Sequence, residues 1–263
     1  IVCAGGESEA GISDKVILLQ WNKTKEDIVI NDLPPLPFPV SNASVTAKDN
    51  VVYLAGGEIK NGGVSSSFLR LDLNNLTAGW IALPSLSKPI SHAVLVVQSA
   101  GNNPLIYLIG GRRRTSTGIS ELYSSVYAFD IKKEKWEEKK SLPYALSAGT
   151  GVGFGSNKIY LFGGDKGETF HKTELLIAAI NEEKDAVKKE ALNKEKISLQ
   201  ANHPGFSKEV LQYNTTTNEW KIVDTIPFDV PVTTTAVSCG HEVFITSGEI
   251  KAGVRTPVIL VGK

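Results

Sequence analysis

Residues 106–111 read Ile-Tyr-Leu-Ile-Gly-Gly, a run of β-forming apolar side chains that ends in two glycines. The pattern occurs four more times, the last with Ser-Gly in place of Gly-Gly, at residues 1–6, 52–57, 159–164 and 243–248. The final glycine advances by 51, 54, 53 and 84 residues between copies. A period near 50 residues is typical of kelch repeats, which form the blades of β-propellers. The sequence therefore predicts an all-β kelch propeller that occupies residues 1–263 as a single domain.

Each copy continues with the same order of features. In the third copy an alternating strand at 125–130 is followed by Trp136 and then by Leu142-Pro143. Trp80 and Trp220 occupy the same place in their copies, so we expect all three tryptophans to pack between blades. In the first copy Trp21 comes too early, and we expect 28–30 to fill the outer strand instead.

The fourth copy contains 31 extra residues, which we place at about 173–205. Apolar residues recur there at helical spacing, and 182–196 is rich in Ala, Lys and Glu. We expect one or two helices inserted in a loop. Insertions in repeat proteins project from one face, so the insert is either a surface decoration or part of a lid or rim.

The number of repeats leaves two arrangements open. Five strand signals predict four complete blades plus the two ends of the chain. Since the sequence begins inside a repeated strand, we expect a six-bladed type of ring with about one blade absent from this chain, rather than a ring of five.

Composition limits the possible partners. The chain has 28 Lys and Arg against 28 Asp and Glu, so it lacks the basic surplus of a nucleic-acid binder. No apolar stretch is long enough to predict a membrane span. The four histidines lack metal-ligand spacing, and we expect neither a metal nor another cofactor. Cys3 and Cys239 are expected to be buried strand thiols; whether they pair, and the oligomeric state, stay open.

The residues that follow each final glycine are candidates for a site, because the corresponding propeller loops gather at one end of the channel. They are Glu7, Glu58, Arg112, Asp165 and Glu249. An acidic residue here also fits a role in the hydrogen bonding of the blade itself.

The last copy differs from its siblings at a second position. An alignment without gaps places Arg255 over Ser13 of the first copy, and a one-residue shift places it over Ser65 of the second. A blade therefore does not need arginine at this position, which favours a ligand-binding role for Arg255 over a solvated surface charge.

Glu249 and Arg255 form a chemically complementary pair. A carboxylate accepts a proton and, once protonated, donates it, and a guanidinium holds a planar anion in a bidentate manner. Lys251 and Arg112 would add positive potential at the mouth. Such a site suits an acidic substrate that undergoes proton-coupled ring opening.

The segment 247–256, Ser-Gly-Glu-Ile-Lys-Ala-Gly-Val-Arg-Thr, resembles the active-site loop N-G-E-x-K-P-G-x-R-T of the bacterial sialic acid mutarotases, the kelch-type N-acetylneuraminate epimerases. The resemblance implies that Glu249 is the general base and Arg255 its catalytic and binding partner. Ser247 and Ala252 depart from the family's Asn and Pro. The order of the blades resembles the cyclically permuted subgroup of this family.

The resemblance implies a sugar isomerase that interconverts the α and β anomers of N-acetylneuraminic acid by general acid/base ring opening. It implies catalysis without a cofactor and a periplasmic or otherwise extracytoplasmic location. The residues alone leave two alternatives: a non-catalytic propeller that binds a protein or glycan, and an isomerase of another acidic sugar.

Overall fold

The structure is a computed structural model that describes residues 1–101 and 103–263. Its main sheets are five antiparallel blades, which we number I to V along the chain. Blades II, III and IV have four strands, and blades I and V have three. The innermost strands of blades II to V contact one another in succession. The predicted all-β propeller is therefore confirmed, with five blades in the described residues.

The strands of blades I and II include a short hairpin in each blade. Blade I contains β1 (Val2–Ala4), β2 (Glu7–Ser8), β3 (Gly11–Ile12), β4 (Val16–Asn22) and β5 (Asp27–Leu33). Blade II contains β6 (Ser44–Lys48), β7 (Val51–Ala55), β8 (Glu58–Ile59), β9 (Gly63–Val64), β10 (Phe68–Asp72) and β11 (Ile81–Leu83). Two 3₁₀ turns occupy Lys60–Gly62 and Leu76–Ala78.

The other blades follow the same plan. Blade III contains β12 (Val94–Ala100), β13 (Asn103–Ile109), β14 (Arg112–Arg114), β15 (Ser120–Leu122), β16 (Val126–Asp130) and β17 (Lys135–Lys139). Blade IV contains β18 (Thr150–Phe154), β19 (Lys158–Phe162), α1 (Glu168–Glu182), α2 (Ala186–Ala201), β20 (Glu209–Asn214) and β21 (Glu219–Thr225). Blade V contains β22 (Ala236–Cys239), β23 (Glu242–Ile245), β24 (Gly248–Lys251), β25 (Val254–Thr256) and β26 (Leu260–Gly262).

The core lies between the blades. Alternating strand residues point to opposite faces of a blade, and each face packs on the next blade. Between blades II and III, Phe68 meets Phe129 with ring centroids 4.9 Å apart. Between blades III and IV, Tyr107 meets Tyr213 at 5.8 Å.

The repeated tryptophans pack across these interfaces as predicted. The indole N–H groups of Trp80, Trp136 and Trp220 donate to backbone carbonyls of the preceding blade at 2.9, 3.0 and 2.9 Å. Trp21 is 61% exposed, and residues 28–30 lie in the outer strand β5, also as predicted.

A glycine at the end of the third repeat meets a backbone requirement. Gly110 has φ +63°, and a Cβ added there would clash with the Leu146 carbonyl oxygen. Both the left-handed conformation and the close approach of the two chains therefore require glycine.

The insert consists of two antiparallel helices, and α1 begins at Glu168, earlier than the predicted start at about 173. Asp185 caps α2 by accepting from the N–H groups of Val187 and Lys188. No helix in the part of the chain described here is long and apolar enough to cross a membrane.

The prediction for the cysteines is wrong in one respect. Cys3 and Cys239 lie in strands, as expected, but both are exposed free thiols. They belong to the two three-stranded blades, which have fewer neighbouring strands to cover them.

Candidate functional site

The residues after the final glycines occupy equivalent positions in the fold. In blades II to V each forms a β-bridge to a residue just before the innermost strand. The bridges are Ser41–Glu58, Ser91–Arg112, Ser147–Asp165 and Val232–Glu249. These four side chains therefore start from the same level of the propeller.

A row of backbone hydrogen bonds links blades II to V beside these bridges. His92 N–H donates to Asn42 O at 3.0 Å, Ala148 N–H to His92 O at 2.8 Å, and Thr233 N–H to Ala148 O at 3.0 Å. All four residues have φ between 49° and 58°. This row of hydrogen bonds fixes the separation of blades II to V at the level where the candidate residues lie.

Glu249 and Arg255 face each other across the hairpin β24–β25 as directly paired residues. Directly opposite side chains in an antiparallel pair lie on the same face. Glu249 as a residue is half-buried, and its Oε1 accepts the N–H of Gly253 at 2.8 Å in an exposed hydrogen bond. Arg255 is exposed, and in the described residues it forms no ion pair with Glu249 or another carboxylate.

The pairing corrects the alignment of this loop with its siblings. Compared with the hairpin of blade I, this hairpin contains one extra residue, in a bulge between Glu249 and Lys251. The hairpin of blade II has the same spacing, so the one-residue shift is wrong there and Arg255 aligns with Val64. Thr256, not Arg255, lies opposite the final glycine of this repeat, Gly248. Thr256 is therefore the counterpart of Ser13 and Ser65, whose N–H groups donate to the final glycines Gly6 and Gly57 of their own repeats. A gapless alignment cannot register a bulge.

The true counterparts of Arg255 are apolar. The corresponding cross-strand pairs are Glu7–Ile12, Glu58–Val64 and Arg112–Leu122. Arg255 thus replaces an aliphatic side chain in an otherwise equivalent hairpin. Lys251 is half-buried and pairs with Val254, so its side chain lies on the other face of the hairpin from Glu249 and Arg255.

Arg112 takes part in a polar network contributed by two blades and the insert. Its side chain is 19% exposed, its Nη2 lies 3.2 Å from His92 Nε2 and 4.0 Å from Glu58 Oε1, and its guanidinium carbon lies 4.4 Å from the centre of the Phe170 ring. Glu58 also accepts from Asn42 Nδ2 at 2.9 Å. The structure brings Arg112 together with Glu58, but the hairpin of Glu249 and Arg255 belongs to a different blade.

His92 is neutral in this network. Its side chain is 7% exposed, and burial together with the Arg112 guanidinium lowers the pKa of His92 to about 3. Glu58 Oε1, 3.5 Å from Nδ1, favours the protonated ring, but burial and the nearer guanidinium oppose it more strongly. Nε2 therefore accepts from Arg112, and Nδ1–H points to Ser91 Oγ at 3.1 Å.

Sequence reasoning missed His92 and Phe170. A signal for His92 exists: the segments Pro39-Val40-Ser41-Asn42 and Pro89-Ile90-Ser91-His92 are parallel, and Asn42 and His92 are equivalent in the row of hydrogen bonds. No repeat contains a counterpart of Phe170, because it belongs to the insert.

An apolar cavity of about 470 Å³ lies between blades IV and V and away from these residues. It is lined by 223–228 of blade IV and by β23 and β26 of blade V. In blades I to III, the segment equivalent to 223–228 accepts a hydrogen bond from the indole N–H of a tryptophan in the next blade. The cavity therefore corresponds to the place of an outer-strand tryptophan.

Comparison with known proteins identifies similar sequences. The family model described as N-acetylneuraminate epimerase matches residues 33–263. The chain is 25% identical over 228 residues to an N-acetylneuraminate epimerase of Brucella melitensis biotype 1, and 28% identical over 233 residues to one of Salmonella typhi. These matches cover 85% and 86% of this chain.

The chain spans 57% of the length of each of these two curated relatives. A solved structure with the name "Structure of YjhT" superimposes with a TM-score of 0.71 at 22% sequence identity, over 87% of this chain and 64% of that one. At this identity the likeness supports the fold alone.

Proposed function

Because this chain belongs to the N-acetylneuraminate epimerase family, we propose that it accelerates the interconversion of the α and β anomers of N-acetylneuraminic acid. The chain covers 57% of the length of the Brucella melitensis relative. The activity of the whole protein therefore belongs to the proposal. The observation that carries the proposal is the direct cross-strand pairing of Glu249 with Arg255, where sibling hairpins place Ile12, Val64 and Leu122.

Glu249 acts as the base in the proposed reaction. Its carboxylate removes the proton of the anomeric hydroxyl, the electron pair of that O–H bond forms the ketone, and the bond from the anomeric carbon to the ring oxygen breaks. The ring oxygen takes the released electron pair and a proton from water. Rotation about the adjacent carbon–carbon bond and reversal of these steps give the other anomer.

The hairpin itself prepares Glu249 for this role. One carboxylate oxygen is held by the Gly253 N–H at 2.8 Å, which fixes the side chain and leaves the other oxygen for the substrate. General acid–base assistance of this kind is typically worth about 10²–10⁴-fold.

Arg255 anchors the substrate carboxylate. Its guanidinium lies on the same face of the hairpin as the Glu249 carboxylate, and it is exposed and without an ion pair among the described residues. A planar fork of N–H donors matches a carboxylate in a bidentate manner. Lys251 pairs with Val254 on the other face of the hairpin, so the contact with the substrate carboxylate is assigned to Arg255 alone.

The test is NMR of freshly released α-N-acetylneuraminate with and without the protein. We expect the anomers to equilibrate faster with protein, and Glu249→Gln to reduce the acceleration by about 10²–10⁴-fold. Glu7→Gln is the matched control, because Glu7 has the same hairpin position but faces Ile12. An equal loss in both variants, or no acceleration by the native chain, would overturn the proposal.

An extracytoplasmic site of action remains a proposal that rests on the family resemblance alone. Fractionation of the producing cell, with the protein detected by antibody, tests it, and recovery with cytoplasmic markers would overturn it.

A further inference from the structure

We infer that the helical insert positions Arg112 as a second substrate contact, which binds the neutral hydroxyl- and amide-bearing part of the sugar rather than its carboxylate. The inference rests on the proposed function and extends it to a division of labour between two arginines. It also revises the expectation that Arg112 serves to add positive potential.

The local charge balance argues against a carboxylate at Arg112. Glu58 Oε1 lies 4.0 Å from its Nη2. Burial lowers the pKa of Arg112, and the carboxylates of Glu58, Glu174 and Asp165 partly offset this by favouring the charged guanidinium. A further anion would meet the Glu58 carboxylate next to this guanidinium, and the negative charge of Glu174 and Asp165 would oppose it as well. Arg255 forms no ion pair among the described residues, and the carboxylate that it faces is that of Glu249.

The donors and acceptors of the cluster suit hydroxyl and amide groups. A guanidinium has five N–H donors, and one of them is engaged by His92 Nε2 at 3.2 Å. The Glu58 carboxylate beside it offers acceptor positions. A sugar hydroxyl both donates and accepts, and an N-acetyl carbonyl accepts, so both match this arrangement without adding charge.

Helix α1 holds the hairpin that carries Arg112. Glu174 Oε2 accepts the N–H of Ser120 at 2.8 Å, and Glu174 Oε1 accepts the Ser120 hydroxyl at 2.7 Å. His171 Nε2 lies 2.8 Å from Ser120 O. Ser120 is in β15, the partner strand of Arg112, so these bonds lock the hairpin onto the helix.

Phe170 of the same helix supports the guanidinium directly. The ring centre is 4.4 Å from the guanidinium carbon, which is the geometry of a cation–π contact. With His92 on one edge and Phe170 on one face, the plane of the guanidinium is fixed before any ligand arrives.

The far end of the insert reaches the other candidate hairpin. A Cβ added to Gly205, after α2, would lie 3.7 Å from the carbonyl oxygen of Ile250. Ile250 adjoins Glu249 in β24. The insert therefore begins against the Arg112 hairpin of blade III and ends against the Glu249 hairpin of blade V, and so connects the two proposed contacts.

The experiment measures the affinity of the full chain for N-acetylneuraminate and for its methyl ester by NMR titration. We expect Arg255→Gln to reduce the preference for the free acid by about 10- to 100-fold, the value of losing a charge-assisted hydrogen bond. We expect Arg112→Gln to weaken both ligands equally, by about 10-fold, and to leave the preference unchanged. Arg114→Gln, an exposed arginine on the same hairpin, is the control and should change either affinity less than about 2-fold.

Phe170→Leu tests the positioning role while keeping the Arg112 charge. We expect it to raise KM for anomer exchange by about 2- to 30-fold with kcat nearly unchanged, and Phe170→Tyr to restore KM because it keeps the aromatic face. Circular dichroism and Tm verify that each variant is folded.

The outcomes separate the two claims. If Arg112→Gln removes the preference for the free acid, or changes neither affinity, the inference is overturned while the proposed function stands. If the native chain binds neither ligand and exchanges no anomers, the proposed function fails at the first step, before any variant is compared.

Discussion

The buried neutral imidazole of His92 makes a quantitative prediction about acid stability. Its pKa is about 3 in the folded chain against an ordinary value of 6.5. Between these values the unfolded chain binds one more proton than the folded chain, so stability falls as the pH falls through this window. At pH 5 the loss from His92 alone is about 2 kcal/mol relative to pH 7.5, since each pH unit below 6.5 costs about 1.36 kcal/mol.

The perturbation that isolates this contribution is His92→Asn. Asn tolerates the left-handed backbone at this position, where φ is 54°, and it does not titrate. The variant also loses hydrogen bonds, which lowers its free energy of unfolding by the same amount at both pH values. This loss therefore cancels when the two pH values are compared.

The assay is urea unfolding of the native chain and the variant at pH 7.5 and pH 5. We expect the native chain to lose about 2 kcal/mol more than the variant between the two conditions. His241→Asn, at an exposed histidine, should leave the native pH dependence unchanged. Equal pH dependence of the native chain and His92→Asn, within about 0.5 kcal/mol, would refute the assignment of a buried neutral ring.

Five further variants test the scaffold and the hairpin by urea unfolding, and one of them also by the NMR assay. Gly110→Ala is expected to destabilise the fold by about 3 kcal/mol or more, because the added methyl clashes with a carbonyl, whereas Gly155→Ala has space and should cost about 1 kcal/mol for its φ of +60°. Trp136→Ala should cost about 3–5 kcal/mol, and the exposed Trp21→Ala less than about 1 kcal/mol. Arg255→Val introduces the residue that blade II has at this position, Val64, and should leave the free energy of unfolding within about 0.5 kcal/mol of native. It should also remove the acceleration of anomer exchange in the NMR assay. A large loss of stability would contradict the equivalence of Arg255 with Val64.

The blades and their packing residues could be predicted because they repeat. Trp136 was placed correctly since two other copies contain a tryptophan at the same step, and each copy buries the same face against its neighbour. The exposure of Cys3 could not be predicted from that rule, because it depends on the number of strands in its blade and not on the local pattern.

The site was only partly accessible to sequence reasoning. Glu249 and Arg255 were proposed as site residues from their loop, and the structure shows that they are paired across the hairpin. Which residue lies opposite Glu249 depends on a bulge, which backbone hydrogen bonding decides. Phe170 and His92 contact Arg112 from other elements, 58 and 20 residues away along the chain. These contacts form only when the blades and the insert pack together, so no local sequence pattern predicts them.

The comparison of the hairpins separates what the fold requires from what chemistry requires. In blades II and V the backbone of the residue after the glycine bridges a residue just before the innermost strand. Its partner across the hairpin is Val64 in blade II and Arg255 in blade V. Because the backbone contacts are the same, the scaffold gains nothing from a charged side chain at this place. An exposed arginine opposite a carboxylate that the turn already holds is therefore best explained by a third group that both of them contact, and that group is the proposed substrate.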